Sequence, residues 1–291
     1  MNTEQILKAG DIAKQVKTYI KPLIKTGIPL LEIAEKIESK IVELGGKPAF
    51  PCNLSINNIA AHYTPSHDDE TLAHGLLKVD FGAHIDGWTA DTAFSVDLEN
   101  SETNKKLIEA SKEALEAAGR TIKEGIATNK IGAEIEKAIE SHGFSPIINL
   151  SGHEMKQYEL HAGLTIPNYE DSRLAIIKKG LYAIEPFATT GSGRVRDGKL
   201  SGIYMLQNEK NVRSPIAREI LEYIIEEYQT LPFCSRWLVK KFGTKALFGL
   251  KQLEDNGNLH HFPQLVETQD AIVSQAENTF LVEDGVMVTT E

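Results

Sequence analysis

Apolar positions change their period several times along this 291-residue chain, and each change marks a new kind of element. The first 45 residues read as two amphipathic helices. In the second, Pro29 suits the opening turn, and Ile33, Ile37, Ile41 and Leu44 recur at helical spacing to form one apolar stripe. Gly45-Gly46 then stops it. Between residues 76 and 98 the period falls to two: Leu77, Val79 and Phe81 alternate with Lys78, Asp80 and Gly82. Asp86-Gly87 supplies a hairpin turn, and the chain returns through Thr89 to Val96. Helices are expected again at 102–124 and 129–142, the second striped by Ile131, Ile135, Ala138 and Ile139 and closed by Gly143. Strand-like runs follow at 146–150, 180–188 and 201–207.

The pattern shifts once more after Val212. Ser214-Pro215 opens a helix that runs to Tyr228, with further helical stretches at 235–241 and 244–256. Residues 264–268 and 278–290 return to strand character. The whole therefore reads as one α/β (α+β) domain, 1–291, carrying a helical insertion at about 212–259. The order helix–helix–hairpin–helix–helix, followed by more strands, is compatible with two related halves.

Composition narrows the partners. The formal net charge is -10 and the pI near 5.5, which argues against a dedicated nucleic-acid or anionic-membrane binder; Lys240-Lys241 is only a local basic patch. Apolar runs such as Leu76–Val79 fall far short of the roughly 20 residues of a membrane span. The N-terminus lacks the basic and apolar regions of a signal peptide, so the expectation is a cytoplasmic protein. Cys52 and Cys234 are then two free thiols rather than one long-range disulfide, and the sequons at Asn53 and Asn149 carry no meaning.

Candidate chemistry begins on the hairpin. With the turn at Asp86-Gly87, Asp80 and Asp91 are diagonal neighbours on one face; moving the turn one residue earlier leaves them on one face, directly opposed. Two adjacent carboxylates repel unless a cation, a proton or a basic partner neutralises them, although a solvated acidic pair beside a turn is the plainer alternative. His153 follows the apolar run Ile147–Leu150, where a histidine is more often structural, and Gln157 prevents a helical HExxH zinc motif. Glu185 sits in the strongly apolar Leu181–Phe187, where an unpaired carboxylate is costly; Arg194 or Arg196 is the alternative partner. Glu277 enters the last apolar run and, read alone, is a strand-edge acid. Together, one imidazole and four carboxylates suit two hard or borderline divalent ions. Such a pair, about 3.5–4 Å apart, activates water and polarises a carbonyl. Other motifs fail: Gly191-Ser192-Gly193 lacks the third glycine of a dinucleotide loop, no Walker A loop or GxSxG elbow occurs, and nothing fixes a Cys52–His62 pair.

Val79–Ala93 around both aspartates, Gly152-His153 with His161-Ala162-Gly163, Ala183–Phe187, Ser274–Thr279 and Asn57–Pro65 resemble methionine aminopeptidases in order and spacing over nearly the whole chain. The 92 residues between Glu185 and Glu277, with the helical block between them, are similar to the type II enzymes, in the short archaeal form. The resemblance implies the pita-bread fold with two pseudo-symmetric halves and a winged-helix-like insertion. It implies Asp80, Asp91, His153, Glu185 and Glu277 as ligands of two divalent metal ions (Co²⁺, Mn²⁺, Fe²⁺ or Zn²⁺), and water attack on the carbonyl after an N-terminal methionine. Glu185 is then the proton shuttle, and His161 the partner of the scissile carbonyl or its oxyanion. His62 contacts substrate near the scissile amide nitrogen and is the histidine that fumagillin-type inhibitors alkylate. Phe50, Leu160, Ile203 and His261 are implied in the methionine pocket. The implied partners are N-termini of nascent polypeptides with a small second residue, met by a monomer in transient contact with the ribosome, and neither DNA nor membrane. One departure stands out: the family usually reads Gln-Phe-Glu-His-Thr where this chain has Gln275-Ala276-Glu277-Asn278-Thr279, which implies altered packing beside the metals. The alternatives are an Xaa-Pro aminopeptidase or prolidase of the same fold, and a non-catalytic RNA- or protein-binding homologue. The first usually adds a large N-terminal domain, whereas about 75 residues precede the hairpin here; the second loses ligands and gains basic surface.

Overall fold

The apolar stripes at the start fold as their spacing predicts. In the computed structural model, which describes residues 1–291, α1 (Thr3–Ile20) buries Ile6, Ile12 and Val16, and α2 (Leu30–Glu43) buries Ile33, Ile37 and Ile41. Asn2 caps α1, its side chain accepting from the Gln5 N–H. Pro29 precedes α2 as its N-cap rather than lying in its first turn. The chain continues through β1 (Lys47–Ile56), short β2 (Ile59–Ala61), β3 (Leu76–Ile85) and β4 (Trp88–Asp97). Strands β1, β3 and β4 form an antiparallel sheet in that order, and α1 and α2 seal one face of it through Val79, Phe81 and Ala83. The β3–β4 turn has Asp86 at φ 48° and Gly87 at φ 78°, the left-handed pair that a tight two-residue hairpin demands.

A second helix pair and sheet follow. Helices α3 (Glu102–Thr121) and α4 (Thr128–Ser141) precede β5 (Ser145–Pro146), β6 (Ser151–Met155), β7 (Thr165–Pro167), β8 (Gly180–Ile184) and β9 (Phe187–Thr189). Next come β10 (Arg196–Leu206), α5 (Pro215–Glu227), β11 (Phe233–Cys234), α6 (Ser235–Phe242), α7 (Lys245–Asp255) and β12 (Leu259–Val266). The chain closes with β13 (Val273–Gln275), β14 (Asn278–Val282) and β15 (Val286–Val288). The second large sheet has the order β15–β14–β8–β6–β7, its core made by Ile131, Ile135 and Ile139 of α4 against Ile184 and Phe280. Residues of α5, α6 and α7, among them Ile220, Ile224, Leu238 and Leu250, build a core of their own against Tyr204 and Phe233. No helix is long and apolar enough to cross a membrane.

Several strand boundaries differ from the pattern of the sequence. Of the run 146–150 only Pro146 belongs to a strand: the chain turns at Asn149, whose side chain exchanges hydrogen bonds with the Val195 N–H and carbonyl. The ladder of the second sheet begins at Ser151, so His153 lies within a strand. The run 180–188 breaks into β8 and β9 because Pro186 has no N–H to give a ladder, leaving Glu185 at the break. Strand β12 starts five residues before the expected 264, hidden by the polar His260-His261 pair. Residues 278–290 form two strands rather than one. Cys52 and Cys234 are buried free thiols.

Candidate active site

Backbone register delivers the acidic groups to one place. In the hairpin, Gly82 pairs with Asp91 and Asp80 with Ala93, so the two aspartates are diagonal neighbours on one face. Ala93 then exchanges backbone hydrogen bonds with Glu277, 3.0 and 3.3 Å long, and this bridge joins the edge of the first sheet to the segment entering β14. Across the second sheet, Ala183, two residues before Glu185, pairs with His153 on one side and on the other with Thr279, two residues after Glu277. Four separate stretches of chain thus converge, and ligating atoms of Asp91, His153 and Glu277 lie within 4.8 Å of one another.

These groups form the floor of a cavity with about 630 Å³ of open space. Asp80, Asp91, His153, Glu185 and Glu277 line it together with His62 and His161. Its apolar wall includes Phe50, Leu160, Ile203 and Phe262. His261 does not reach the cavity. Its ring stacks on Tyr204 with centroids 4.0 Å apart, because β12 turns alternate side chains to opposite faces and Phe262 takes the inward one.

The floor is electrostatically unstable by itself. Burial raises the Asp80 carboxyl to about 7. Burial raises Asp91 well above the usual range, with the charges of Asp80 and Glu185 adding to it. Glu185 and Glu277 rise for the same reasons, burial first and neighbouring carboxylates second. Oδ1 of Asp80, Oδ1 of Asp91 and Nδ1 of His153 are buried without any hydrogen-bond partner. Nor does an arginine neutralise Glu185: its polar contact is the Gln275 amide at 3.3 Å, rather than Arg194 or Arg196. Orphaned oxygens beside an imidazole that turns its Nε2 to Asp91 Oδ2 at 3.8 Å are what divalent cations satisfy. The residues fit such a group.

The two flanking histidines are held neutral. Burial lowers His62 to about 4. Its Nδ1 donates to the Pro263 carbonyl at 3.2 Å, which leaves Nε2 as an acceptor. Its backbone is left-handed at φ 63°, uncommon outside glycine and frequent where a fold holds a functional side chain in place. Burial also lowers His161, whose ring meets that of His153 edge-on at 4.3 Å.

Sequence reasoning missed the residues that brace this floor. The Gln275 amide reaches both Glu185 and Glu277, and Thr279 Oγ1 exchanges hydrogen bonds with the Asp91 N–H and carbonyl. The alternation Gln275-x-Glu277-x-Thr279 was the available signal, since a period of two puts all three on one face. On the apolar side Pro232, Phe262 and Leu265 went unremarked. Nothing local in the sequence distinguishes them from core residues.

A carboxylate floor with one imidazole, facing an apolar wall between the halves of an α/β fold, is the layout of a metal-dependent hydrolase. Relatives narrow this. The chain belongs to metallopeptidase family M24, whose pattern matches residues 4–228. It is 48% identical over 295 residues to the methionine aminopeptidase of Thermococcus onnurineus, covering 99% of each chain. With that of Pyrococcus horikoshii it shares 47% over 297 residues and 100% of each chain. Among solved structures, the methionine aminopeptidase of Thermotoga maritima superposes with a TM-score of 0.72 at 22% identity, covering 100% of this chain and 98% of that one. The fold is the pita-bread fold.

Proposed function

We propose that this chain is a methionine aminopeptidase of the short type II form, removing the N-terminal methionine from polypeptides whose second residue is small. The observation that carries the reading is the cavity itself, which sets four carboxylates and an imidazole beside an apolar wall. Asp80, Asp91, His153, Glu185 and Glu277 would hold two divalent ions, Co²⁺, Mn²⁺, Fe²⁺ or Zn²⁺. When bound, these ions supply acidity to a water and polarise the scissile carbonyl.

The chain's own groups do the rest. Glu185 takes the proton of the attacking water and passes it to the leaving amine. His161, neutral in its buried setting, donates to the scissile carbonyl as negative charge develops on it. His62 presents the unprotonated Nε2 to the scissile amide N–H; the same bare nitrogen is the one an alkylating inhibitor would attack. Phe50, Leu160, Ile203 and Phe262 surround the thioether, for which aromatic edges are favourable company. On this reading the partners are nascent N-termini, met in the cytoplasm by a monomer in transient contact with the ribosome.

Cleavage of Met-Ala-Ser is compared with that of an Xaa-Pro dipeptide, with and without Mn²⁺ or Co²⁺. The expected result is metal-dependent release of methionine from the first substrate and its loss in Glu277→Ala. Preference for the proline substrate would replace this reading by a prolidase, and inactivity with every metal would favour a non-catalytic binding protein.

A further inference from the structure

The apolar wall owes its position to an irregularity in β10. Opposite β12, Leu200 pairs with Pro263 and Ile203 with Phe262, so Ser201 and Gly202 are two extra residues on one strand. Gly202 adopts φ 77°, a left-handed conformation open to glycine at little cost. Such bulges bend a strand and re-aim the side chain that follows, here Ile203, which faces the cavity.

Three hydrogen bonds fix the bulge. The Ile203 N–H donates to Ser201 Oγ at 3.0 Å, and that hydroxyl donates to the Phe262 carbonyl at 2.6 Å. The Gly202 N–H donates to Nε2 of His261 at 3.1 Å. Accepting there puts the proton of His261 on Nδ1, which faces Glu254 Oε1 on α7 at 3.2 Å. The ring is clamped between this carboxylate and the face of Tyr204. A carboxylate in the helical block therefore sets the tautomer of His261, and that tautomer supplies the acceptor for a bulge two residues long. The same stretch of β12 carries Phe262, whose ring meets His62 edge-on at 5.6 Å, and Pro263, which holds the His62 imidazole.

We propose that Glu254 and His261 form a positioning pair that sets the Ile203–Phe262 wall and so tunes which N-terminal side chains the cavity accepts. The pair touches neither substrate nor the acidic floor; it acts through the backbone at Gly202. The inference rests on the methionine-removing reading and assigns its side-chain selectivity in part to the helical block.

The test measures kcat and KM of the full chain on Met-Ala-Ser, Leu-Ala-Ser and Ala-Ala-Ser with saturating Mn²⁺. His261→Phe keeps a ring to stack on Tyr204 and removes the acceptor. It should raise KM for the methionine substrate about tenfold, leave kcat within about twofold, and lower the preference for methionine over leucine by a similar factor. His261→Gln, which returns an acceptor near Nε2, should recover most of the preference. Glu254→Leu should move the same quantities in the same direction by a smaller factor, and it carries the test if His261→Phe does not fold. Unchanged KM and preference in the folded variants would overturn the inference, as would a loss falling on kcat equally for all three substrates. Wild-type chain inactive on Met-Ala-Ser would overturn both the inference and the reading beneath it, whereas an active wild type isolates the inference.

Discussion

The two sides of the cavity are built by opposite strategies. The floor gathers groups that repel one another, and its rigidity comes from strand register: Asp80 and Asp91 from one hairpin, His153 from β6, with Glu277 locked to Ala93 by two backbone hydrogen bonds. The wall gathers groups that attract, and its shape comes from breaking register at Ser201-Gly202, under the support of Glu254 and His261. The lesson is that charge is placed where backbone pairing on both sides pins the chain, because a buried carboxylate misplaced by an ångström loses its compensation. Side-chain shape is placed where the backbone is irregular and adjustable.

The floor should be the more sensitive side, and Asp91→Asn is the sharpest way to show it. Losing one charged oxygen from the set should cut turnover of Met-Ala-Ser by about 10³-fold or more and abolish the rise in melting temperature that Mn²⁺ gives the wild type. A variant that keeps both would mean Asp91 is not a ligand.

Removing metal should expose the repulsion itself. Without a cation, burial holds the floor carboxyls protonated, Asp80 up to about 7, whereas the unfolded chain releases those protons near 4. At these carboxyls the folded state binds more protons than the unfolded one across that window, so their contribution to stability should fall as pH rises from about 4 to 7. The buried His62 and His161, whose protons only the unfolded chain binds, contribute with the opposite sign. Melting of the chelated chain from pH 4 to 8, repeated with Mn²⁺, reads this directly. The metal's stabilisation should grow with pH, and a difference between the chelated and Mn²⁺-loaded chains that shrinks over the same range would contradict the account.

The wall should give the smallest effect. Ile203→Ala enlarges the recess without touching the floor, so KM for the methionine substrate should rise by about five- to tenfold while kcat holds within about twofold. A fall in kcat alone would place Ile203 with the chemistry and blur the contrast between the two sides.

Legibility in the sequence followed the same division. The hairpin was readable because its information is local: a turn of Asp86-Gly87 and a period of two fix which side chains share a face, and the observed register agrees. Glu185 stood out because an acid in an apolar run needs a reason. His153 was harder to place, since Ile147–Leu150 looks like a strand and is a turn held by the Asn149 side chain. His261 was misplaced by one residue of alternation, which the polar look of His260-His261 concealed. The Gln275 and Thr279 braces were silent, because a buried glutamine or threonine is unremarkable until its partners are known.

By itself, then, the sequence determined the helix pairs, the hairpin, the five chemically distinctive residues and, through their order and spacing, the kind of enzyme to which they belong. Periodicity and the cost of burying charge are local properties, and they are written residue by residue. Only the tertiary structure decided that Ala93 meets Glu277, that Phe262 rather than His261 faces the cavity, and that a carboxylate on α7 governs a bulge in β10. Those facts depend on contacts between segments up to about 180 residues apart, where the free energy of packing selects one arrangement from many that the local pattern permits.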